Sequence, residues 1–287
     1  MRAPGTRLLA LLGLVLVLVL VLSGCAGAPR HPAPPLPAPA PLHLLWSDDF
    51  SGAAGAPPDR ASWVAETGGA GWGNHELECY TRVPGNAATD GAGHLVITAL
   101  HQPGHVCSDG SRNDYTSARL TTEGRVTAGY GRLEVRAQVP TTPGVWPAFW
   151  ALGDDLRRVD WPAAGEIDVM EVGGNRPRTV FGTLHGPAAD GSAYQHGVTH
   201  DSAAPLSGGF HVYAASWSPG SVSFSIDGRR YGTVTRAEVV GAGGRWVFSH
   251  RVFLILDLAI GGDFPGPVSP ATRTPQRFVV DYVRVYG

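Results

Sequence analysis

The stretch GEIDVMEVGG, Gly165 to Gly174, places three carboxylates within six residues: Glu166, Asp168 and Glu171. Apolar residues separate them, namely Ile167, Val169 and Met170. Side chains of a strand alternate between faces, so Glu166 and Asp168 share one face, with Ile167 and Val169 turned to a core behind them. Strict alternation sends Glu171 to the wrong side. One extra residue near Val169–Met170, a β-bulge, restores the parity and returns Glu171 to the acidic face. The two glutamates then stand four strand steps, or ~13 Å of backbone, apart. Reaching toward each other, their carboxyls could come within roughly 5–6 Å, close to the spacing of nucleophile and acid/base in retaining glycosidases. Asp168 between them supplies the charge and hydrogen bonding that move pKa values apart. Two other readings fit the same spacing: the solvated face of a sheet, and oxygen ligands for calcium.

The neighbourhood favours the chemical reading. GVWPAFWALG (Gly144–Gly153) brings Trp146 and Trp150, and GWGNHELECYT brings Trp72 and Asn74. Most indoles are core. Residues four apart on a strand share a face, however, so Trp146 and Trp150 can both look into one groove. An acidic groove lined by indoles suits a sugar polymer, because indole faces stack on pyranose rings while polar groups orient hydroxyls.

Alternating strands must position these residues. HLVITAL (His94–Leu100), GRLEVRAQV (Gly131–Val139), RTVFGTLHG (Arg178–Gly186) and RFVVDYVRVY (Arg277–Tyr286) all alternate with period two. SVSFSIDGRRYGTV (Ser221–Val234) reads as a hairpin turning at Asp227-Gly228. Glycine and proline punctuate the gaps, no stretch shows helical periodicity, and no internal repeat is present. These features predict an all-β fold, an antiparallel sandwich or barrel.

The ends of the chain carry a different kind of signal. An apolar run from Leu8 to Leu22 follows the basic segment MRAPGTR. It suits a signal-peptide core and is short for a membrane span. It ends in LSGC, which resembles a bacterial lipobox; the alternative is an ordinary secretory signal with a chance cysteine. Residues 1–24 are therefore expected to form a lipoprotein signal, with lipid on Cys25 anchoring the protein to the membrane at the cell surface. The Pro/Ala-rich residues 25–42 read as an extended tether. Residues 43–287 form the expected catalytic domain, of a size suited to one large all-β unit. The net charge of −2 and the lack of a basic run argue against nucleic acid as a partner. The two remaining cysteines, Cys79 and Cys107, are expected to pair in an exported domain.

WPAAGEIDVMEVGG and GVWPAFWALG, together with YTSARLTT, GTLHGP, FHVYAASWSP and LILDLAIGGDFPG, resemble glycoside hydrolase family 16. The closer resemblance is to its bacterial laminarinase-type endo-1,3-β-glucanases. It extends over nearly everything after the linker, in the expected order. The related lichenases use a carboxylate spacing one residue shorter, without the bulge. The resemblance implies a β-jelly-roll sandwich of two antiparallel sheets with a concave substrate cleft. It implies that Glu166 is the nucleophile and Glu171 the acid/base, with Asp168 assisting. It places Trp72, Asn74, Arg119, Trp146, Trp150 and His185 in the cleft; His185 has the alternative of a core-edge histidine bonded to backbone. No cofactor is implied for catalysis, and no histidine spacing suggests a catalytic metal. A structural calcium away from the cleft is implied at Asp49, the Gly93 carbonyl and Asp281, whose oxygens suit that ion. The chain departs from the pattern at Asp257, where asparagine is expected, and at Ala164, where cysteine is frequent. The expected activity is retaining hydrolysis of β-1,3-glucan by a monomer. Alternatives are mixed-linkage glucan or galactan cleavage, transglycosylation, or a glucan-binding lectin on the same fold.

Overall fold

The structure is a computed structural model describing residues 42–287. The signal segment, Cys25 and the tether up to residue 41 lie outside the described residues. In chain order the first strands are β1 (Leu44–Asp48), β2 (Val64–Glu66), β3 (Glu78–Tyr80), β4 (Ala87–Thr89), β5 (Leu95–Val106) and β6 (Arg112–Ser117). Next come β7 (Arg119–Thr121), β8 (Thr127–Ala128), β9 (Gly131–Gln138), β10 (Val145–Gly153), β11 (Glu166–Glu171) and β12 (Thr179–Pro187). The series closes with β13 (Ala193–Asp201), β14 (His211–Ser218), β15 (Ser221–Ile226), β16 (Arg229–Thr235), β17 (Val252–Ile260) and β18 (Gln276–Tyr286).

The strands form two sheets. One runs β16-β15-β14-β9-β18-β5-β6-β3, with β1 on β18 and β4 on β5. The other runs β13-β12-β11-β10-β17-β7-β2, with β8 on β17. Pairing is antiparallel except between β3 and β6. The fold is all-β, as the alternation predicts, and is the jelly-roll sandwich that the family resemblance implies.

The alternation explains the packing. On β17, Val252, Leu254, Leu256, Leu258 and Ile260 belong to the main core. The opposite face of the same strand carries Phe253 and Ile255, packed with Leu152, Trp150 and Leu156. Both faces are therefore covered, and every residue of β17 is buried. Close approach of the sheets requires glycine at Gly182 on β12, where a Cβ would stand 2.4 Å from Cδ1 of Phe224. The β15–β16 hairpin turns at Asp227 (φ 49°) and Gly228 (φ 74°), the positive angles that an Asp-Gly turn supplies.

The expectation of no helix is corrected at α1 (Leu156–Val159) and α2 (Arg236–Gly241). The second has a full capping box: Thr235 Oγ1 accepts from the Glu238 N–H at 3.2 Å, and Glu238 Oε2 accepts from the Thr235 N–H at 2.7 Å. In so short a segment the cap, rather than an apolar period, defines the helix.

Candidate active site

Register defines the site. On one side of β11, Glu171 faces Ala148, Met170 faces Phe149 and Asp168 faces Trp150, so Val169 has no partner. On the other side Asp168 faces Thr183 and Glu171 faces Phe181, again one residue long on β11. The bulge therefore falls at Val169–Met170, as the carboxylate spacing requires. Its two residues both turn inward and are 1% and 0% exposed. Glu166, Asp168 and Glu171 consequently line the same cleft, a cavity of about 1220 Å³.

The three acids have unequal surroundings. Glu166 is half-buried, and its Oε2 accepts from Trp161 Nε1 at 2.9 Å. Asp168 is 3% exposed, and burial pushes its carboxyl well above the usual range, with Glu166 adding to the shift. His185 Nε2 lies 3.0 Å from Asp168 Oδ2, within ion-pair distance but outside hydrogen-bond alignment. Glu171 accepts from Trp146 Nε1 at 3.1 Å and faces the Thr183 hydroxyl at 3.5 Å. Burial also pushes the Glu171 carboxyl well above its ordinary value. The neighbouring Asp168 reinforces this, while His185 and the Trp146 donor pull the other way. A buried acid whose proton is held more tightly than usual is suited to donate it, and the more open Glu166 is placed to attack. Donor atoms of Glu166, Asp168 and His185 lie within 4.8 Å of one another, a spacing that a cation could also bridge.

A second constellation occupies the same cleft beyond Trp150. The Arg119 guanidinium lies 4.9 Å from the Trp72 ring centroid and 4.6 Å from that of Trp150. Its Nε donates to Glu66 at 2.6 Å. Asp257 faces this cleft rather than the core, because it shares the β17 face of Phe253 and Ile255. Asn74 lies nearby and donates to Glu76 Oε1 at 3.1 Å. All six residues expected in the cleft, Trp72, Asn74, Arg119, Trp146, Trp150 and His185, line it.

Sequence reasoning missed several others. Trp161, 45% exposed at the cleft, stands in the WPAAGE motif, five residues before the glutamate it bonds. Phe264, in GGDFPG, has its ring centroid 4.9 Å from that of Trp146. Glu76, which also lines the cleft, stands beside Glu78 in GWGNHELECYT, where alternation alone does not say which acid faces the cleft.

Away from the cleft, the Asp49 carboxylate pairs with Arg284 at 3.2 Å and that of Asp281 pairs with Arg136. A Cβ on Gly93 would stand 3.8 Å from the Asp49 carbonyl oxygen, so these two loops meet. Both carboxylates face guanidinium groups. Cys79 and Cys107 are disulfide-bonded, with Cα atoms 5.4 Å apart.

A jelly-roll sandwich with acids paired across a bulged strand, in an indole-lined cleft, has the equipment of a polysaccharide-cleaving glycosidase. Residues 80–254 match the family described as Glycosyl hydrolases family 16. A beta-glucanase of Rhodothermus marinus is 38% identical over 85% of this chain and 84% of its own length. A glucan endo-1,3-beta-glucosidase of Cryptopygus antarcticus is 36% identical over 84% of this chain and 90% of its own. Among solved structures, the catalytic domain of an endo-1,3-beta-glucanase (laminarinase) from Thermotoga petrophila superposes with a TM-score of 0.77. It is 39% identical, covering 86% of this chain and 98% of that one. The chain belongs to glycoside hydrolase family 16.

Proposed function

We propose that the protein is a retaining endo-hydrolase of β-1,3-glucosidic bonds in laminarin-like glucans. The bulge at Val169–Met170 carries this reading, because it alone brings Glu166, Asp168 and Glu171 to one wall of the cleft. The likeness to a glucan endo-1,3-beta-glucosidase and to a laminarinase domain supports the linkage. A lectin on the same fold would have no use for the three acids.

Glu166 attacks the anomeric carbon while Glu171 protonates the departing glycosidic oxygen, leaving a glycosyl ester on Glu166. Glu171, now ionised, takes a proton from water, and that water releases the sugar with its original configuration. The Trp161 indole holds the Glu166 carboxylate, and Trp146 holds that of Glu171. Asp168, buried between them, sets their charge balance. Release of reducing ends from soluble 1,3-glucan, faster than from mixed-linkage glucan or galactan, is the expected result. Preferential cleavage of either rival substrate would reassign the specificity.

Two finer parts of the reading concern placement and stability. Lipid on Cys25 would hold the domain at the cell surface on its Pro/Ala-rich tether. Cys25→Ser should then release it from membranes, and a wild-type protein already free of membranes, with residues upstream of Cys25 intact, would sink that idea. The meeting of the Asp49 and Gly93 loops, with Asp281 as third member, supports a structural calcium. Chelation should lower the melting temperature, and an unchanged melting temperature would remove calcium from the reading.

A further inference from the structure

Three side chains of the cleft form a triangle with a use besides cleavage. Glu166 and Asp168 stand two residues apart on one face of β11, and His185 of β12 pairs in register with Glu166. Donor atoms of the three lie within 4.8 Å of one another. Among the described residues, this is the one group of three or more histidine, cysteine and acidic side chains that converges so closely.

One atom of the triangle lacks a partner. Asp168 is 3% exposed, and its Oδ2 accepts no hydrogen bond from any described residue. His185 Nε2 is only 3.0 Å away but is not aligned on it. Elsewhere the chain aligns such pairs, with His94 Nδ1 on Asp90 at 2.7 Å and His211 Nδ1 on Asp227 at 2.8 Å. A buried carboxylate oxygen left unpaired is costly, and a cation shared with the ring nitrogen removes that cost. Around a tetrahedral Zn2+ with bonds of about 2.0–2.2 Å, neighbouring donor atoms stand roughly 3.3–3.6 Å apart, close to the separation seen here. Glu166 is half-buried in the open cleft, and Trp161 engages only one of its two oxygens. Its carboxylate can therefore turn in as the third ligand.

The donor set selects the ion. One imidazole nitrogen and two carboxylate oxygens suit zinc, which accepts three protein ligands and leaves a fourth position open. Calcium takes about six to eight oxygens, more than this triangle offers. We propose that Glu166, Asp168 and His185 form a reversible zinc site, and that Zn2+ bound there shuts the enzyme off by engaging the Glu166 carboxylate. Binding follows from the triangle itself. The inhibition rests on the glucanase reading above, in which Glu166 attacks the sugar. Zinc and a glucan ring then compete for the same carboxylate.

Titration calorimetry of the full-length protein with zinc chloride alone tests the site. Asp168→Asn and His185→Gln should each weaken Zn2+ binding, since loss of even an outer partner of a metal ligand costs about tenfold or more. His94→Gln, which alters a pair outside the cleft, should leave the affinity unchanged. On soluble 1,3-glucan, Zn2+ should raise the wild-type KM at constant kcat, and calcium chloride at the same concentration should not. No Zn2+ bound at millimolar concentration would mean that a proton alone fills the place, and would overturn the site. Equal affinity in wild type and both cleft variants would overturn it as well. Zinc that binds with the expected losses but leaves the wild-type KM unmoved would overturn the inhibition. If wild type cleaves no 1,3-glucan, the glucanase reading fails instead, and calorimetry alone decides the site.

Discussion

Glu171 shows how one residue trades stability for chemistry. Its carboxyl is pushed well above its ordinary value, first by burial and then by Asp168. Between the unfolded and folded pKa values the folded chain binds the extra proton, so stability falls as pH rises through that window. Glu171→Gln keeps the shape and abolishes the titration. Its melting temperature should exceed that of wild type, by a margin that grows from about pH 4.5 upward, while hydrolysis is lost. Equal melting temperatures at pH 5 and pH 8 would mean that Glu171 is not held protonated by the fold. Asp168→Asn should cost less activity than either glutamate change, because Asp168 tunes charge and does not react. The three acids were legible from residue type alone. The Glu166–Trp161 contact was not, because Trp161 lies outside the strand and no alternation rule reaches it.

At the scale of elements the bulge is the decisive device. It was legible because three acids separated by one and two residues cannot share a face of a regular strand. Deleting Met170 would remove the bulge and restore regular alternation with Glu171 still on the cleft face, at the one-residue-shorter spacing of the related lichenases. The deletion should therefore keep measurable hydrolysis and lower stability by about 2–5 kcal/mol, since the fully buried Met170 side chain is lost from the core. Circular dichroism and a melting curve, alongside the reducing-end assay, check both parts. A folded deletion variant with no hydrolysis would show that facing the cleft is not enough and that the longer spacing set by the bulge is itself required. The hairpin at Asp227-Gly228 and the long strands were equally readable, because their turn chemistry and period agree. Helix α2 escaped notice because its signal is a cap at Thr235 and Glu238 rather than a repeating apolar face. The inward face of Asp257 became visible only when both neighbours of β17 were in place, since every residue of that strand is buried.

At the scale of the whole molecule, the cleft draws on distant parts of the chain. Trp72, Asn74 and Glu76 come from the segment before β3, and Asp257 from β17. The Cys79–Cys107 disulfide, closing a separation of 28 residues, pins that early segment to the end of β5. Loop-closure estimates put such a link at about 3–4 kcal/mol. Replacing both cysteines by serine should lower stability by that order and weaken glucan binding more than turnover, because the Trp72 side of the cleft loses its tether. An unchanged denaturation midpoint, or two free thiols by mass spectrometry of the purified protein, would remove the disulfide from the account.

The assignment of roles to Glu166 and Glu171 is tested most directly by azide rescue with a substrate bearing a good leaving group. Glu171→Ala lacks the acid but keeps the nucleophile, so such a substrate should still form the glycosyl ester on Glu166. Water then attacks slowly for want of a base, and azide takes its place. Two inversions at the anomeric carbon should give the β-glycosyl azide. Glu166→Ala with azide should give the α-azide by a single inversion. The β-azide arising only from the Glu166 variant would reverse the roles, and full activity in both variants would place catalysis elsewhere than on β11.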